Sequence, residues 1–314
     1  MPRRLGQSDV FVPPIILGGN IFGHFADEPA TRAVIDAADA IGITAVDTAD
    51  VYSDGKSEEW IGRALLGRRD RWIILTKAGI HSNELPDGKF TAVHLRRAID
   101  ASLRRLQTEY IDVYQIHAFD LRTPLAETLG ALQDAQSAGK IRAFGLSNFS
   151  RSALQSACVL AAPASLQVWW NVLDRAQAEE ISPICGASAV SLLSYGVLAR
   201  GLLSGKYRHG TPFPEDSRAK DSATLRADLT PERLEAVSRL DAFARTRGYR
   251  VAHLACAWIL HQKNVAGCVV GVRSADQLSD LIQGTQWKLT KDDCSAIDAI
   301  LGTTQTESHC LCAS

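Results

Sequence analysis

The sequence predicts a closed parallel (β/α)8 TIM barrel with a short N-terminal β-hairpin, folded as a single domain. Three observations predict it. Short apolar, β-branched runs recur eight times, alternating with stretches of helical length. Polar residues stand at the ends of runs two, three, four, five and seven, whereas an open doubly wound sheet, the alternative architecture, gathers its site at one switch point. No composition break divides the 314 residues, a length that can bury one large core.

The elements follow in order. Residues 3–12 read as two short extended pieces around a polar turn, a hairpin broken by Pro13-Pro14. Strand one, 15–17, is closed by Gly18-Gly19-Asn20, and the first helix spans 29–40, with Pro29 in its first turn and Gly42 past its end. Strand two, 43–46, ends in the polar burst Asp47-Thr48-Ala49-Asp50, followed by Tyr52, and a helix spans 57–66. Strand three, 72–75, ends at Thr76-Lys77; a loop, 81–90, leads to the helix 92–106. Strand four, 111–116, ends at His117, and Pro124 opens a helix that stops at Gly139. Strand five, 141–146, ends at Ser147-Asn148, and Ser150 caps the next helix. Strand six is 166–169, and strand seven, 189–193, ends at Ser194-Tyr195. The stretch 196–229 mixes Gly, Pro and charge and reads as a functional loop. Helices at 231–246 and 251–261 precede strand eight, 266–270, which ends at Gly271-Val272-Arg273. Helices at 275–283 and 291–301 close a barrel domain of residues 1–302, with 303–314 as a flexible tail.

Composition narrows the function classes. The chain is 46% hydrophobic and 22% charged, with a net charge of -1, so nothing points to nucleic acid or an anionic membrane. Arginines cluster at Arg68, Arg69 and Arg71 and recur at Arg96, Arg97, Arg104 and Arg105 without the interleaved aromatics of a base-stacking platform, and read as solvated helix faces. No apolar h-region follows the first residues and no apolar run is long enough to span a bilayer. Seven scattered cysteines, an odd number, fit a reducing, cytoplasmic setting. Cys310 and Cys312 lack the second pair that a zinc site needs.

The strand-end residues are Asp47, Tyr52, Lys77, His117, Ser147, Asn148, Gln167 and Tyr195. Barrel closure aims most of them at one mouth. Taken alone, the Asp47–Tyr52 stretch also fits a helix cap and a packed aromatic; the later strand ends favour chemistry. A lysine ammonium about 4 Å from a tyrosine, at an effective dielectric near 20, stabilises the phenolate by about 4 kcal/mol, or roughly three pKa units. That brings the phenol toward the working pH for acid–base catalysis. An aspartate keeps the lysine charged, and a histidine can donate to a carbonyl oxygen. Such a set moves a proton between tyrosine and a carbonyl or alcohol. It offers no nucleophile and no metal cage, so a hydride has to come from a cofactor.

These residues lie in stretches that resemble the aldo-keto reductase superfamily: Asp47-Thr48-Ala49-Asp50-Val51-Tyr52, Leu75-Thr76-Lys77-Ala78-Gly79, Tyr110 to His117, Gly139 to Ser150, and Gly201 to Tyr207. The resemblance runs from Leu5 to about Asp293. It implies that Tyr52 is the general acid/base, that Lys77 and Asp47 tune it, and that His117 orients the carbonyl. It implies a nicotinamide site with Ser147, Asn148 and Gln167 at the carboxamide and Tyr195 stacked on the ring. Gly196, Leu198, Arg200, Gly201, Lys206 and Arg218 would form the pyrophosphate loop, while Gly19, Asn20, Gly271, Arg273, Gln277 and Asp280 complete the cofactor set. No G-x-G-x-x-G is present, in keeping with nicotinamide binding without a Rossmann domain.

The chain departs from the family pattern in places. Tyr195-Gly196-Val197-Leu198 replaces Tyr-Ser-Pro-Leu, Val270-Gly271 replaces Pro-Gly, and Asp280-Leu281 stands where relatives carry Glu-Asn at the adenosine. Leu281 cannot hydrogen-bond adenine. Arg273 suits a 2′-phosphate, so NADP(H) is expected over NAD(H). Phe22, His24 and Phe119 are expected to line the pocket for a small carbonyl or alcohol substrate. Of Trp169 and Trp170, one alternates onto the interior face with Gln167 and the other packs beneath a helix. Two alternatives stay open: an NAD-dependent sugar or pyridoxal dehydrogenase, and a cofactor-binding regulatory subunit resembling channel-associated β subunits.

Overall fold

The structure is a computed structural model describing residues 1–79, 89–208, 210–213, 218–220 and 222–302. Most of the loop expected at 81–90, Ser217, the side chain of Arg218 and the expected tail lie outside the described residues.

Strands β1 (Arg3–Arg4) and β2 (Phe11–Val12) pair antiparallel as the expected hairpin. β3 (Ile15–Gly18) leads to α1 (Glu28–Ala40), which starts where the Asp27 carboxylate accepts the Ala30 amide. β4 (Ala45–Asp47) and α2 (Lys56–Ala64) follow, then β5 (Ile73–Ala78) and α3 (Ala92–Leu106), capped by Thr91. β6 (Ile111–Ile116) precedes α4 (Leu125–Ser137), and β7 (Ile141–Ser147) precedes α5 (Arg151–Leu160) with the expected Ser150 cap. Next come β8 (Ser165–Trp169), α6 (Ala176–Ala187) and β9 (Ser191–Tyr195). The long connection carries a 3-10 segment, Ala199–Ser204, and α7 (Ala223–Asp228). α8 (Pro231–Arg245) and α9 (Val251–His261) lead to β10 (Val265–Val270), and α10 (Ala275–Leu281) and α11 (Lys291–Gly302) end the chain.

The eight strands β3 to β10 close a parallel barrel, with β10 hydrogen-bonded to both β3 and β9. Helix α6 carries no clear sequence signal. Its N-cap, Arg175, makes no side-chain cap bond, and Pro183 sits inside it. Both features weaken the usual start and continuation signals.

Alternation sorts the strand residues into two layers. Ile16, Ala45, Leu75, Val113, Ala143 and Leu193 fill the interior with Leu5, Val10 and Val12 of the hairpin segment. Ile15, Leu17, Val46, Ile74, Leu146 and Leu166 belong to the layer that meets the helices. The hairpin thus plugs one end of the barrel, leaving the carboxyl ends of the strands for the site.

The arginines divide between two roles. Arg96 and Arg97 are exposed, as expected. Arg69 instead spans the barrel end opposite the site, donating to Trp72 O at 2.6 Å, Tyr110 O at 2.8 Å and Asp112 Oδ2 at 2.8 Å. Arg142 donates to the other Asp112 oxygen at 2.6 Å. Asp112 is buried in β6, and a buried carboxylate requires such partners.

Helices α2 and α3 meet at Gly62, where an added Cβ would lie 2.6 Å from Leu106 O and 2.8 Å from Arg105 O. Backbone cannot yield there, so Gly62→Ala is expected to destabilise by about 1–3 kcal/mol. Gly130→Ala in α4 meets nothing within 4 Å and is expected to stabilise by up to about 1 kcal/mol. Thermal melts of the two variants check the pair.

Candidate active site

Inward-facing strand positions become polar at the carboxyl end of the barrel. Leu75 lies in the interior layer, so Lys77, two residues on, also points inward. Its Nζ donates to Asp47 Oδ1, to Thr48 O at 2.9 Å, and reaches Tyr52 Oη at 3.4 Å. Asp47 and Lys77 are 2% and 1% exposed, so each charge depends on the other. The second Asp47 oxygen accepts Gln167 Nε2 at 2.8 Å and Gln115 Nε2 at 3.0 Å.

Gln115 carries no motif. Its signal in the sequence is an amide two residues after the inward-facing Val113. The expected carboxamide ligand Gln167 spends its Nε2 on Asp47, which makes it part of the charge network as well.

Tyr52 is carried by the β4–α2 connection. Thr48 N donates to Leu75 O at 2.8 Å and Asp50 N to Lys77 O at 3.0 Å, extending the parallel ladder past the strand end. The left-handed residues Ser53, Asp54 and Gly55 then turn the chain into α2. His117 N donates to Ala78 O at 3.1 Å, and the imidazole meets the Tyr52 ring edge-on at 5.8 Å. The structure therefore brings Asp47, Tyr52, Lys77 and His117 together.

The electrostatics correct one expectation. Burial pushes the Tyr52 hydroxyl above the ordinary tyrosine range; the Lys77 charge pulls it down, and the Asp47 and Asp50 charges push it up again. The lysine thus does not bring the phenol near neutrality. Enclosure and two carboxylates outweigh it, leaving Tyr52 protonated. Burial also works against the Lys77 ammonium, but the Asp47 charge more than offsets this, and Lys77 holds its proton more tightly than a free lysine.

A second tier surrounds the four. Asn148 adopts a left-handed φ of 57° and donates from Nδ2 to His117 O at 3.0 Å and to Ser147 Oγ at 3.1 Å. Tyr195 Oη donates to Asn148 Oδ1 at 2.8 Å. The Trp169 ring meets Tyr195 edge-on at 5.6 Å and carries the Arg200 guanidinium at 4.4 Å. Trp170 is buried against Trp258, so it is the one of the pair that packs in the core.

Gly196 is packed so closely that a Cβ would overlap the Trp169 ring. In the following 3-10 segment, Leu198 is the N-cap, and Arg200 and Gly201 have φ of 55° and 107°. Nothing lies within 3.8 Å of a Cβ built on Gly201, so the glycine serves the backbone conformation and leaves open main chain between Arg200 and the exposed Lys206.

Across the mouth, Gly19 is buried under Ser57, Asn20 is exposed, and the Asn20 Oδ1 lies 3.3 Å from a Cβ built on Gly271. The Arg273 guanidinium packs on the Phe25 ring at 4.7 Å, and its amide donates to Gln277 Oε1 at 2.8 Å. Asp280 is engaged by Arg250 and lies 3.3 Å from His253 Nε2. Of the expected pocket residues, Phe119 is 37% exposed and His24 is exposed, whereas Phe22 is 1% exposed and belongs to the core. Phe22 is therefore not a pocket wall: its ring continues the apolar layer beneath the mouth, alongside Ile21.

A sequence model of the Aldo/keto reductase family matches residues 14–302. The chain belongs to the aldo/keto reductase family. It is 36% identical over 298 residues to the Bacillus subtilis protein Aldo-keto reductase YhdN, covering 92% of this chain and 88% of that protein. It is 31% identical to the versiconal hemiacetal acetate reductase of Aspergillus parasiticus, covering 94% and 95%. Among solved structures, the glycerol dehydrogenase AKR11B4 of Gluconobacter oxydans superposes with a TM-score of 0.85 at 31% identity, covering 99% of this chain and 98% of that one. This aldo/keto reductase is thus an NAD(P)H-dependent carbonyl oxidoreductase acting on small molecules. Its mouth fits a nicotinamide dinucleotide. The open main chain at Gly201, between Arg200, which is paired with Asp228, and the exposed Lys206, suits a pyrophosphate, and the Ser147 hydroxyl, which accepts from Asn148, stands beside the tetrad. No described helix is long and apolar enough to cross a membrane.

Proposed function

We propose that this chain is an NADP(H)-dependent reductase of aldehydes and ketones, with Tyr52 as the proton donor. The observation that supports it most strongly is the Tyr52 hydroxyl, 3.4 Å from the buried Lys77 Nζ and beside the His117 ring. When bound, the cofactor supplies the hydride that the chain itself lacks. His117 orients the carbonyl oxygen toward Tyr52. Tyr52 gives its proton to that oxygen as negative charge develops on it. Lys77 stabilises the phenolate left behind, and Asp47, braced by Gln115 and Gln167, holds Lys77 in place.

Ser147 and Asn148 hold the carboxamide, Tyr195 carries the nicotinamide ring, and the Arg200–Lys206 segment takes the pyrophosphate. Phe119 and His24 form the substrate rim, which favours aryl and alkyl carbonyls. Names among the relatives, a hemiacetal acetate reductase and an L-glyceraldehyde 3-phosphate reductase, agree with carbonyl reduction. The cytoplasm, which keeps thiols reduced, is the setting we assign.

The test is stoichiometric. Incubation with NADPH and benzaldehyde should yield benzyl alcohol equal to the NADPH consumed; NADPH loss without alcohol would count against the reading. Arg273 is assigned to the 2′-phosphate. Arg273→Ala is expected to raise the KM for NADPH about tenfold, the value of one charge-assisted contact, and to leave the KM for NADH unchanged. Steady-state kinetics with both cofactors checks this.

A further inference from the structure

Trp169 ends β8, two residues beyond Gln167. Its neighbour Trp170 is 2% exposed and packs in the core; Trp169 is only half-buried, so filling the core does not account for it. The indole Nε1 donates to Asp174 Oδ2 at 3.0 Å. That carboxylate is fixed in turn. Arg233 of α8 donates to its Oδ1 at 2.9 Å and its Oδ2 at 3.3 Å, and Asn171 Nδ2 donates to Oδ2 at 3.0 Å. Asn171 Nδ2 also reaches Gly196 O at 3.2 Å. An indole N–H at a half-buried place can be satisfied by water; a carboxylate held at both oxygens by a guanidinium fixes the ring's position as well.

Three groups of the mouth lie against the ring so fixed. Tyr195, its register partner on β9, meets it edge-on at 5.6 Å. Gly196, with a φ of 69°, turns so close that a Cβ would overlap it. The Arg200 guanidinium lies over it at 4.4 Å and donates to Asp228 Oδ2 at 3.0 Å. Ala199 and Arg200 both have left-handed backbones, with φ of 46° and 55°. Neither is glycine, and such conformations persist only where the surroundings over-determine them. For the Arg200 side chain those surroundings are the indole and Asp228.

We propose that Trp169, locked by Asp174 and Arg233, is a positioning residue for the cofactor: a fixed plate that acts through Arg200 at the pyrophosphate and through Tyr195 at the nicotinamide. This rests on the reading of those two residues as cofactor contacts. One rigid ring then sets the spacing between the two ends of the nicotinamide mononucleotide half. Without it, Arg200 has more rotamers to lose when the cofactor binds, and its left-handed turn loses one of two supports. The effect falls on binding, because the bonds among Asp47, Lys77 and Tyr52 do not involve Trp169.

The experiment measures NADPH binding by calorimetry, with steady-state kinetics and thermal melts, for the unmodified protein, Trp169→Leu, Trp169→Phe, Arg200→Ala and the double variant of Trp169→Leu with Arg200→Ala. Trp169→Leu should weaken NADPH binding about tenfold, the value of a sheltered cation–π seat. The KM for NADPH should rise alike, with kcat at saturating NADPH kept within about threefold. Trp169→Phe, which keeps a flat ring, should recover most of the loss. In the double variant, Trp169→Leu should add less than about threefold to the effect of Arg200→Ala, the remainder acting through Tyr195. Unweakened binding by Trp169→Leu, losses that multiply in full, or a kcat that falls while the KM holds would overturn the proposal and leave Trp169 a packing residue. Asp174→Asn checks the anchor without altering the ring: binding about threefold weaker is expected, and unchanged binding would refute the anchored plate. Arg200→Ala with full NADPH affinity would instead remove the pyrophosphate reading itself, and the positioning role with it.

Discussion

Tyr52→Phe is expected to lower kcat for carbonyl reduction by about 10²–10⁴-fold, the usual contribution of a positioned acid, while leaving NADPH affinity within about twofold. The reason lies in where the hydroxyl sits. It is the one group of the four that combines a proton held at neutral pH with a cation 3.4 Å away to stabilise its conjugate base. Phenylalanine keeps the ring, the edge contact with His117 and the Lys77–Asp47 pair, so folding and cofactor binding should persist. Stopped-flow fluorescence for NADPH binding and single-turnover rates separate the two effects. A variant that lost cofactor binding and rate together would point to collapse of the mouth rather than loss of an acid.

Asp47→Ala is expected to have the largest effect on stability, about 3–5 kcal/mol, and to abolish turnover. The substitution strands the Lys77 ammonium, 1% exposed, without its counter-charge, and strips Gln115 and Gln167 of a shared acceptor. The cost should come mostly from the uncompensated lysine. Adding Lys77→Met to Asp47→Ala should therefore recover much of the stability and none of the activity. Urea titration of the two single variants and the double variant measures this directly. Additive losses would mean that the two side chains do not share one interaction.

Much of the fold was legible because its strands are dense in Val, Ile and Leu and its helices carry caps. Ser150 marks a helix start in the sequence and in the structure. The tetrad was legible because its members stand at strand ends, where the switch from apolar to polar is abrupt. What escaped depends on three-dimensional company. Helix α6 lacks a cap and contains Pro183. Gln115 is an ordinary strand amide until barrel closure sets it against Asp47. Arg69 looks like a solvated charge until Asp112 arrives from another strand. Phe22 follows a strand that leads to the mouth, yet the short turn beyond Gly19 buries its ring. The Tyr52 proton was misjudged for a related reason. A pairwise estimate counts the lysine, whereas the net result also includes enclosure and the charges of Asp47 and Asp50.

The most direct test of the central claim is the rate of reduced-nicotinamide consumption with NADPH and, separately, NADH over a panel of aryl aldehydes, α-diketones and sugars. The account predicts carbonyl-dependent oxidation that is faster with NADPH and fastest with the aryl aldehydes. Tight NADPH binding with no oxidation by any carbonyl would contradict it and point instead to a subunit that holds the cofactor without turning it over.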